Sequence, residues 1–178
     1  MQPGHWPSPE RARAEYDLHR NALYDPGYLA FLDRLAAPLA ECLTAGARGL
    51  DFGCGPAPAM QAVLEQRGFE VCSYDPIYAA DAGLLERSWD FVTCSEVAEH
   101  FTHPREEFQR LAALLAPGGR LAVMTQWRRE DHAFERWRYV HDPTHVCFYA
   151  ERSFQWIAEW LGLELERVLP NRVVMRRG

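Results

Sequence analysis

Two carboxylates and an imidazole fall within five residues at Glu96-Val97-Ala98-Glu99-His100, and two more imidazoles follow at His141 and His145. Hard carboxylate oxygens beside an imidazole suit a divalent ion such as Mg²⁺ or Mn²⁺ better than a soft thiolate metal would be served. The same groups can instead cap the helix that follows, with no ion bound. The histidines of His141-Asp142-Pro143-Thr144-His145 stand four apart, which would put both on one helix face, but Pro143 disfavours a helix. On a loop, either one could accept a proton from a reacting group or orient it, or simply bond backbone carbonyls. Upstream, Gly53-Cys54-Gly55-Pro56 follows the run Leu50-Asp51-Phe52, and Asp75-Pro76 comes later. Glycines reach backbone angles closed to other residues and let a ligand approach the main chain. Paired glycines and Asp-Pro are also ordinary turns.

These residues need elements to hold them. Three prolines and a glycine make residues 1–9 an irregular arm. A helix is predicted from Glu10 to about Tyr24. A second carries Tyr28, Leu29, Leu32, Leu35, Leu39 and Leu43 on a helical period, with Pro38 as a potential kink. The two either cover the mouth of a cleft or cap the edge of a sheet. A strand at Arg48–Phe52 leads into the glycines, a helix over Ala59–Arg67 stops at Gly68, and a strand at Glu70–Tyr74 ends at Asp75. Too few residues separate Asp75 from the strand at 89–94 for both a helix and a further strand. After His103-Pro104 a helix buries Phe108, Leu111 and Leu115. A Pro117-Gly118-Gly119 turn and a strand from Arg120 to Thr125 come next. A polar and aromatic segment runs from Trp127 to Tyr149. Helix Glu151–Leu161 then precedes a hairpin of Leu163–Val168 and Arg172–Met175.

A chain of 178 residues, 48% of them hydrophobic, suits one domain over 1–178, with helices in 1–45 and a sheet-based core in 46–178. The net charge of −6 argues against a nucleic-acid partner bound by bulk charge. All 19 basic residues are arginine. The lack of lysine excludes a P-loop lysine, a Schiff-base lysine and a Tyr-Lys dehydrogenase pair. Five scattered cysteines form neither a disulfide framework nor a zinc knuckle. No apolar run suits a signal peptide or a membrane span, so a reducing cytoplasm is expected.

Four ordered landmarks carry a resemblance: Leu50 to Pro56, Asp75, the 89–101 strand and loop, and Leu115-Ala116-Pro117-Gly118-Gly119. Together they resemble the S-adenosylmethionine (SAM)-dependent methyltransferases of the Rossmann-like class, in particular the type 11 and type 23 domains. The interval from Gly55 to Asp75 also matches that at which Rossmann-type folds place an acid for two ribose hydroxyls. The resemblance implies an α/β three-layer sandwich, mostly parallel with an antiparallel last strand, its third strand short or absent. It implies SAM held by Asp51, Phe52, Gly53, Cys54, Gly55, Pro56, Asp75, Pro76, Ser95 and Glu96. Asp51, Gly53 and Gly55 would take the methionine part, Asp75 the ribose, and Ser95 and Glu96 the sulfonium side. Asp81-Ala82 would stand near the adenine amino group.

The Glu96–His100 stretch further resembles the Glu-x-x-Glu-His loop of ubiquinone-pathway O-methyltransferases and small-RNA 2′-O-methyltransferases. That likeness implies a divalent cation such as Mg²⁺ on Glu96, Glu99, His100 and a later histidine, His145 or His141. The expected reaction is methyl transfer to an oxygen or nitrogen of a small-molecule acceptor, with His145, His141 or His100 catalytic, by a monomer or homodimer. The alternatives are a non-catalytic module that binds the cofactor or its demethylated product, and a nicotinamide oxidoreductase, which the absent later glycine disfavours.

Overall fold

In the computed structural model, which describes residues 6, 8–17, 25–129 and 133–178, the chain runs α1 (Pro9–Tyr16), α2 (Pro26–Ala40), β1 (Arg48–Phe52), α3 (Ala59–Glu65), β2 (Glu70–Tyr74), β3 (Trp89–Ser95), α4 (Pro104–Ala113), β4 (Leu115–Met124), α5 (Glu151–Leu161), β5 (Leu163–Leu169) and β6 (Arg172–Arg177). The strands form one sheet in the order β2-β1-β3-β4-β6-β5. It is parallel from β2 to β4 and antiparallel from β4 through β6 to β5.

Leu121-Ala122-Val123-Met124 is apolar without interruption, as a strand buried on both faces requires. Leu121 and Val123, with Val173 and Met175 of β6, face one core with α4 and α5. Ala122, Met124 and Val174 face the other, against α2 and α3. The result is the expected three-layer α/β sandwich with an antiparallel end. No helix among the described residues is long and apolar enough to cross a membrane.

No strand lies outside β2 among the described residues. The chain turns back at once: Asp75 and Ala79 exchange backbone hydrogen bonds of 3.1 and 3.0 Å. The Asp75 carboxylate accepts from the amides of Ile77 and Tyr78 at 2.8 and 3.1 Å. A 3₁₀ turn at Ala82–Glu86 then leads into β3.

Three local expectations change. Helix α4 ends at Ala113, and Leu115 opens β4 opposite Trp89. The predicted Pro117-Gly118-Gly119 turn is an irregularity inside β4, where the register jumps from Leu115 to Arg120. Glycine suits it: Gly118 has φ +75°, and a Cβ on Gly119 would lie 2.8 Å from the Ala116 carbonyl oxygen. Helix α2 ends at Ala40, so Leu43 packs from beyond it. Pro38 sits in the last turns of α2 and lacks the N–H that would bond Arg34; the Arg34 carbonyl instead accepts from Arg172 Nη1 at 3.1 Å. Helix α1 begins about where expected, and the part predicted over 18–24 lies outside the described residues.

Phe108 anchors α4. It is 2% exposed and meets Phe101, Tyr149 and Phe154 edge-on at 5.6, 5.9 and 6.4 Å. Phe108→Ala should cost about 3–5 kcal/mol, the usual range for a buried aromatic truncation, as read from urea unfolding midpoints. A loss under ~1 kcal/mol would show that this ring does not hold α4 to the sheet.

Candidate active site

A cleft of about 660 Å³ opens at the carboxyl ends of β1, β2 and β3, where open α/β sheets bind ligands. Its walls are the glycine loop, the Asp75-Pro76 turn and the loop after β3, with Tyr16 of α1 and Tyr28 and Phe31 of α2 at its mouth. α2 also packs its Leu32, Leu35, Ala36 and Leu39 into the core, so cleft wall and sheet cover are one element.

Gly53 and Gly55 take φ +82° and +64°, and a Cβ on Gly53 would meet Val97 Cγ2 at 2.5 Å. The loop is thereby pressed against the segment after β3. The amides of Gly53 and Cys54 donate to the Tyr74 carbonyl at 2.7 and 3.1 Å. The Gly55 amide donates to Asp75 Oδ2 at 3.0 Å. Glycine loop and strand-end acid therefore meet in one cleft. Burial, with the charges of Asp51 and Asp75, pushes the Cys54 thiol up to about 12 and makes it a poor nucleophile. The Ser95 hydroxyl is buried at the wall with no hydrogen-bond partner.

Asp51 lies behind this wall. It is 3% exposed and accepts from the Thr93 hydroxyl at 2.8 Å across the β1–β3 pair. Burial, then the Asp75 charge, pushes its carboxyl up to about 7 against the lowering effect of Thr93.

A second group of side chains gathers on the loop after β3. Glu96 stands at φ +52°, held by its amide on the Met124 carbonyl at 2.7 Å; a non-glycine residue there stores strain. Glu99 is 1% exposed, and its carboxylate accepts from the Thr125 hydroxyl at 2.9 Å and from the Tyr139 hydroxyl. The same Tyr139 oxygen is 3.3 Å from Glu96 Oε2. Burial, then the Glu99 charge, pushes the Glu96 carboxyl up to about 8. Burial also raises Glu99. His145 Nδ1 is 2.7 Å from the Tyr139 carbonyl and His100 Nδ1 3.1 Å from that of Thr144. A proton on Nδ1 in each ring leaves a lone pair on Nε2. Burial, then His100, lowers the pKa of His145 and keeps it neutral near pH 7.

One ligand atom each from Glu99, His100 and His145 lies within 4.8 Å of the other two. Of the four candidate ligands, the structure thus clusters three, with Glu96 beside them across Tyr139. His141 is exposed and outside the cleft wall. Asp81 is exposed too, capping its own 3₁₀ turn through the Gly83 amide at 2.9 Å. Phe52, Gly53, Cys54, Gly55, Pro56, Asp75, Pro76, Ser95 and Glu96 all line the cleft. Tyr139 is the residue that sequence reasoning passed over as one aromatic among many; its spacing carries no signal, because its partner is 40 residues away.

Residues 16–168 match the family model of a methyltransferase domain. The chain belongs to this methyltransferase family. No curated protein matches it. Among solved structures, an O-methyltransferase family protein from Burkholderia thailandensis is 16% identical with TM-score 0.60, over 95% of this chain and 62% of that one. The mitomycin 7-O-methyltransferase is 19% identical with TM-score 0.62, over 87% and 59%. A SAM-dependent methyltransferase from Archaeoglobus fulgidus is 15% identical with TM-score 0.61, over 83% and 93%. The first two are longer proteins, of which this chain spans less than two thirds. At these identities the likeness is one of fold.

For this methyltransferase domain, the buried Asp51 sets a pH dependence. Unfolded, the carboxyl loses its proton near 3.8; folded, it holds it to about 7. The native state binds more protons across that window, so this contribution to stability is full below it and lost as pH rises through 7. Asp51→Asn should therefore flatten the fall between pH 4 and 8 relative to the parent by on the order of 4 kcal/mol, at ~1.36 kcal/mol per unit. Urea denaturation of both proteins at the two pH values measures it; parallel pH profiles would contradict the assignment.

Proposed function

We propose that this methyltransferase uses SAM and transfers its methyl group to an oxygen or nitrogen of a small-molecule acceptor. One observation carries the reading: the glycine loop and Asp75 face a single cleft large enough for a nucleoside, and carboxylates outnumber cationic side chains among its charged groups. Asp75, Glu96, Glu99 and Glu107 line it, whereas the one described guanidinium, Arg110, is forked on Glu107 at 3.0 and 3.2 Å. SAM carries a sulfonium and an ammonium against one carboxylate, so its net positive charge complements this wall. The orphaned Ser95 hydroxyl supports a polar ligand at the same place.

Methyl transfer is an in-line displacement: the acceptor's lone pair forms the new bond to carbon as the carbon–sulfur bond breaks, leaving a neutral thioether. The protein's share is to align the two partners and exclude water. The aromatic side chains Tyr16, Tyr28 and Phe31 close the mouth. Neutral His145, oriented through Nδ1, is placed to take the acceptor's proton on Nε2. The histidine and carboxylate cluster, which a purely binding module would not need, favours turnover.

As an alternative to proton transfer by His145, whose Nε2 cannot hold an ion and accept a proton at once, Glu99, His100 and His145 fit a divalent cation. Their donor atoms converge, both imidazoles are oriented by backbone carbonyls in the manner of metal ligands, and the buried Glu96–Glu99 pair has no Arg hydrogen-bonded to it among the described residues. When bound there, a Mg²⁺-like ion would lower the pKa of an acceptor hydroxyl. The five free cysteines suit a reducing cytoplasm.

Calorimetry should show SAM binding, and Asp75→Ala should weaken it by roughly 1.5–3 kcal/mol, the share of a charge-assisted hydrogen bond. No heat at millimolar SAM would overturn the cofactor reading. Manganese bound to the protein, followed by electron paramagnetic resonance, should be lost in His145→Ala. Retained manganese affinity in that variant would remove the metal from the scheme.

A further inference from the structure

Outside the cofactor cleft, a second cavity of about 120 Å³ is lined by Trp127, Arg128, Arg129, Phe134 and Trp137. Its size is of the order that takes one aromatic ring, ~150 Å³ for benzene in an engineered apolar cavity. Three observations say what would fill it. Two of its rings are packed in place: Phe134 and Trp137 meet each other and Phe148 behind them at 5.3 to 6.3 Å. Arg128 and Trp127 are held at the backbone, by the Tyr149 carbonyl at 2.7 Å and Asn171 Oδ1 at 2.9 Å. Two guanidinium groups border the cavity, and Arg128 lies over the Phe134 ring at 5.8 Å, in a protein whose net charge is −6. Finally, the Trp127 indole N–H is buried without an acceptor, and Phe134 is 37% exposed at the rim. A buried donor left unpaired costs free energy that a ligand acceptor would recover.

We propose that this cavity is a binding site for a small planar aromatic carboxylate. Its ring lies against the edge-on pair of Phe134 and Trp137, its carboxylate meets Arg128, and an oxygen accepts the Trp127 N–H. The site adjoins the cleft through one stack, Trp137 on Tyr139 at 5.1 Å and 28°, and Tyr139 bonds Glu96 and Glu99. The proposal does not depend on the identity of the cofactor.

The test follows the indole N–H resonances of the ¹⁵N-labelled protein, with that of Trp127 assigned from Trp127→Phe. Sodium benzoate, titrated at constant ionic strength, should shift the Trp127 signal saturably. Benzamide, the neutral analogue, should do so at least about tenfold less well. Arg128→Gln, a change at an exposed side chain, should weaken the benzoate response by about tenfold, one charge-assisted contact's worth. Saturation with the demethylated cofactor product should leave the response in place. An unmoved Trp127 resonance, equal shifts with benzamide, an unchanged response in Arg128→Gln or loss of the response to that nucleoside would each overturn the proposal. The last result would place benzoate in the cofactor cleft instead, and failure of the nucleoside to bind at all would count against the cofactor reading alone.

Discussion

Four carboxylates, Asp51, Asp75, Glu96 and Glu99, are held largely out of water at the ends of three neighbouring strands, and no described guanidinium hydrogen-bonds any of them. Burying such groups is costly unless hydrogen bonds or protons compensate. The strand ends are built around that requirement. Thr93 serves Asp51, and Thr125 and Tyr139 serve Glu99. Asp75 takes three backbone amides, those of Gly55, Ile77 and Tyr78. Where donors run short, the proton stays: Asp51 and Glu96 are pushed up to about 7 and 8. The cleft is thus a negative potential held in reserve, and a cationic ligand is the natural means of discharging it.

Backbone geometry follows from the same demand. The Gly55 amide can reach Asp75 only because the loop after β1 curls back through two left-handed residues. The absent Cβ at Gly53 lets Val97 approach to close the floor. Glu96, also left-handed, is pinned by its amide to β4. Strain in that residue and the crowding at Gly53 are two sides of one contact between the β1 and β3 loops.

Local pattern made much of this readable. Short runs bounded by glycine and proline mark five of the six strands closely, because their length and their punctuation, more than their period, set them apart from helices. The short interval after Asp75 revealed the missing strand through simple chain length. Legibility ended where a residue's fate depends on a distant partner. Leu115 keeps helical spacing from Phe108 yet belongs to β4, because pairing with Trp89 outweighs periodicity. Pro-Gly-Gly reads as a turn, but pairing with β3 before and after it absorbs it as a bulge. His141 and His145 look equivalent in sequence; the short 3₁₀ turn ending at His141 leaves that ring outside and brings only His145 against Tyr139.

The missing strand also bears on the ligand. With no strand beyond β2 among the described residues, Asp75 itself orders the turn behind it: Oδ1 takes the Ile77 and Tyr78 amides, and Oδ2 takes Gly55. Each oxygen of an ionised carboxylate accepts about two hydrogen bonds, so Oδ2 has capacity left and Oδ1 has essentially none. A ribose would therefore be gripped from the Gly55 side of Asp75. The glycine loop, the acid and the sugar would then share a single oxygen, which ties the conformation of the loop to occupancy of the cleft.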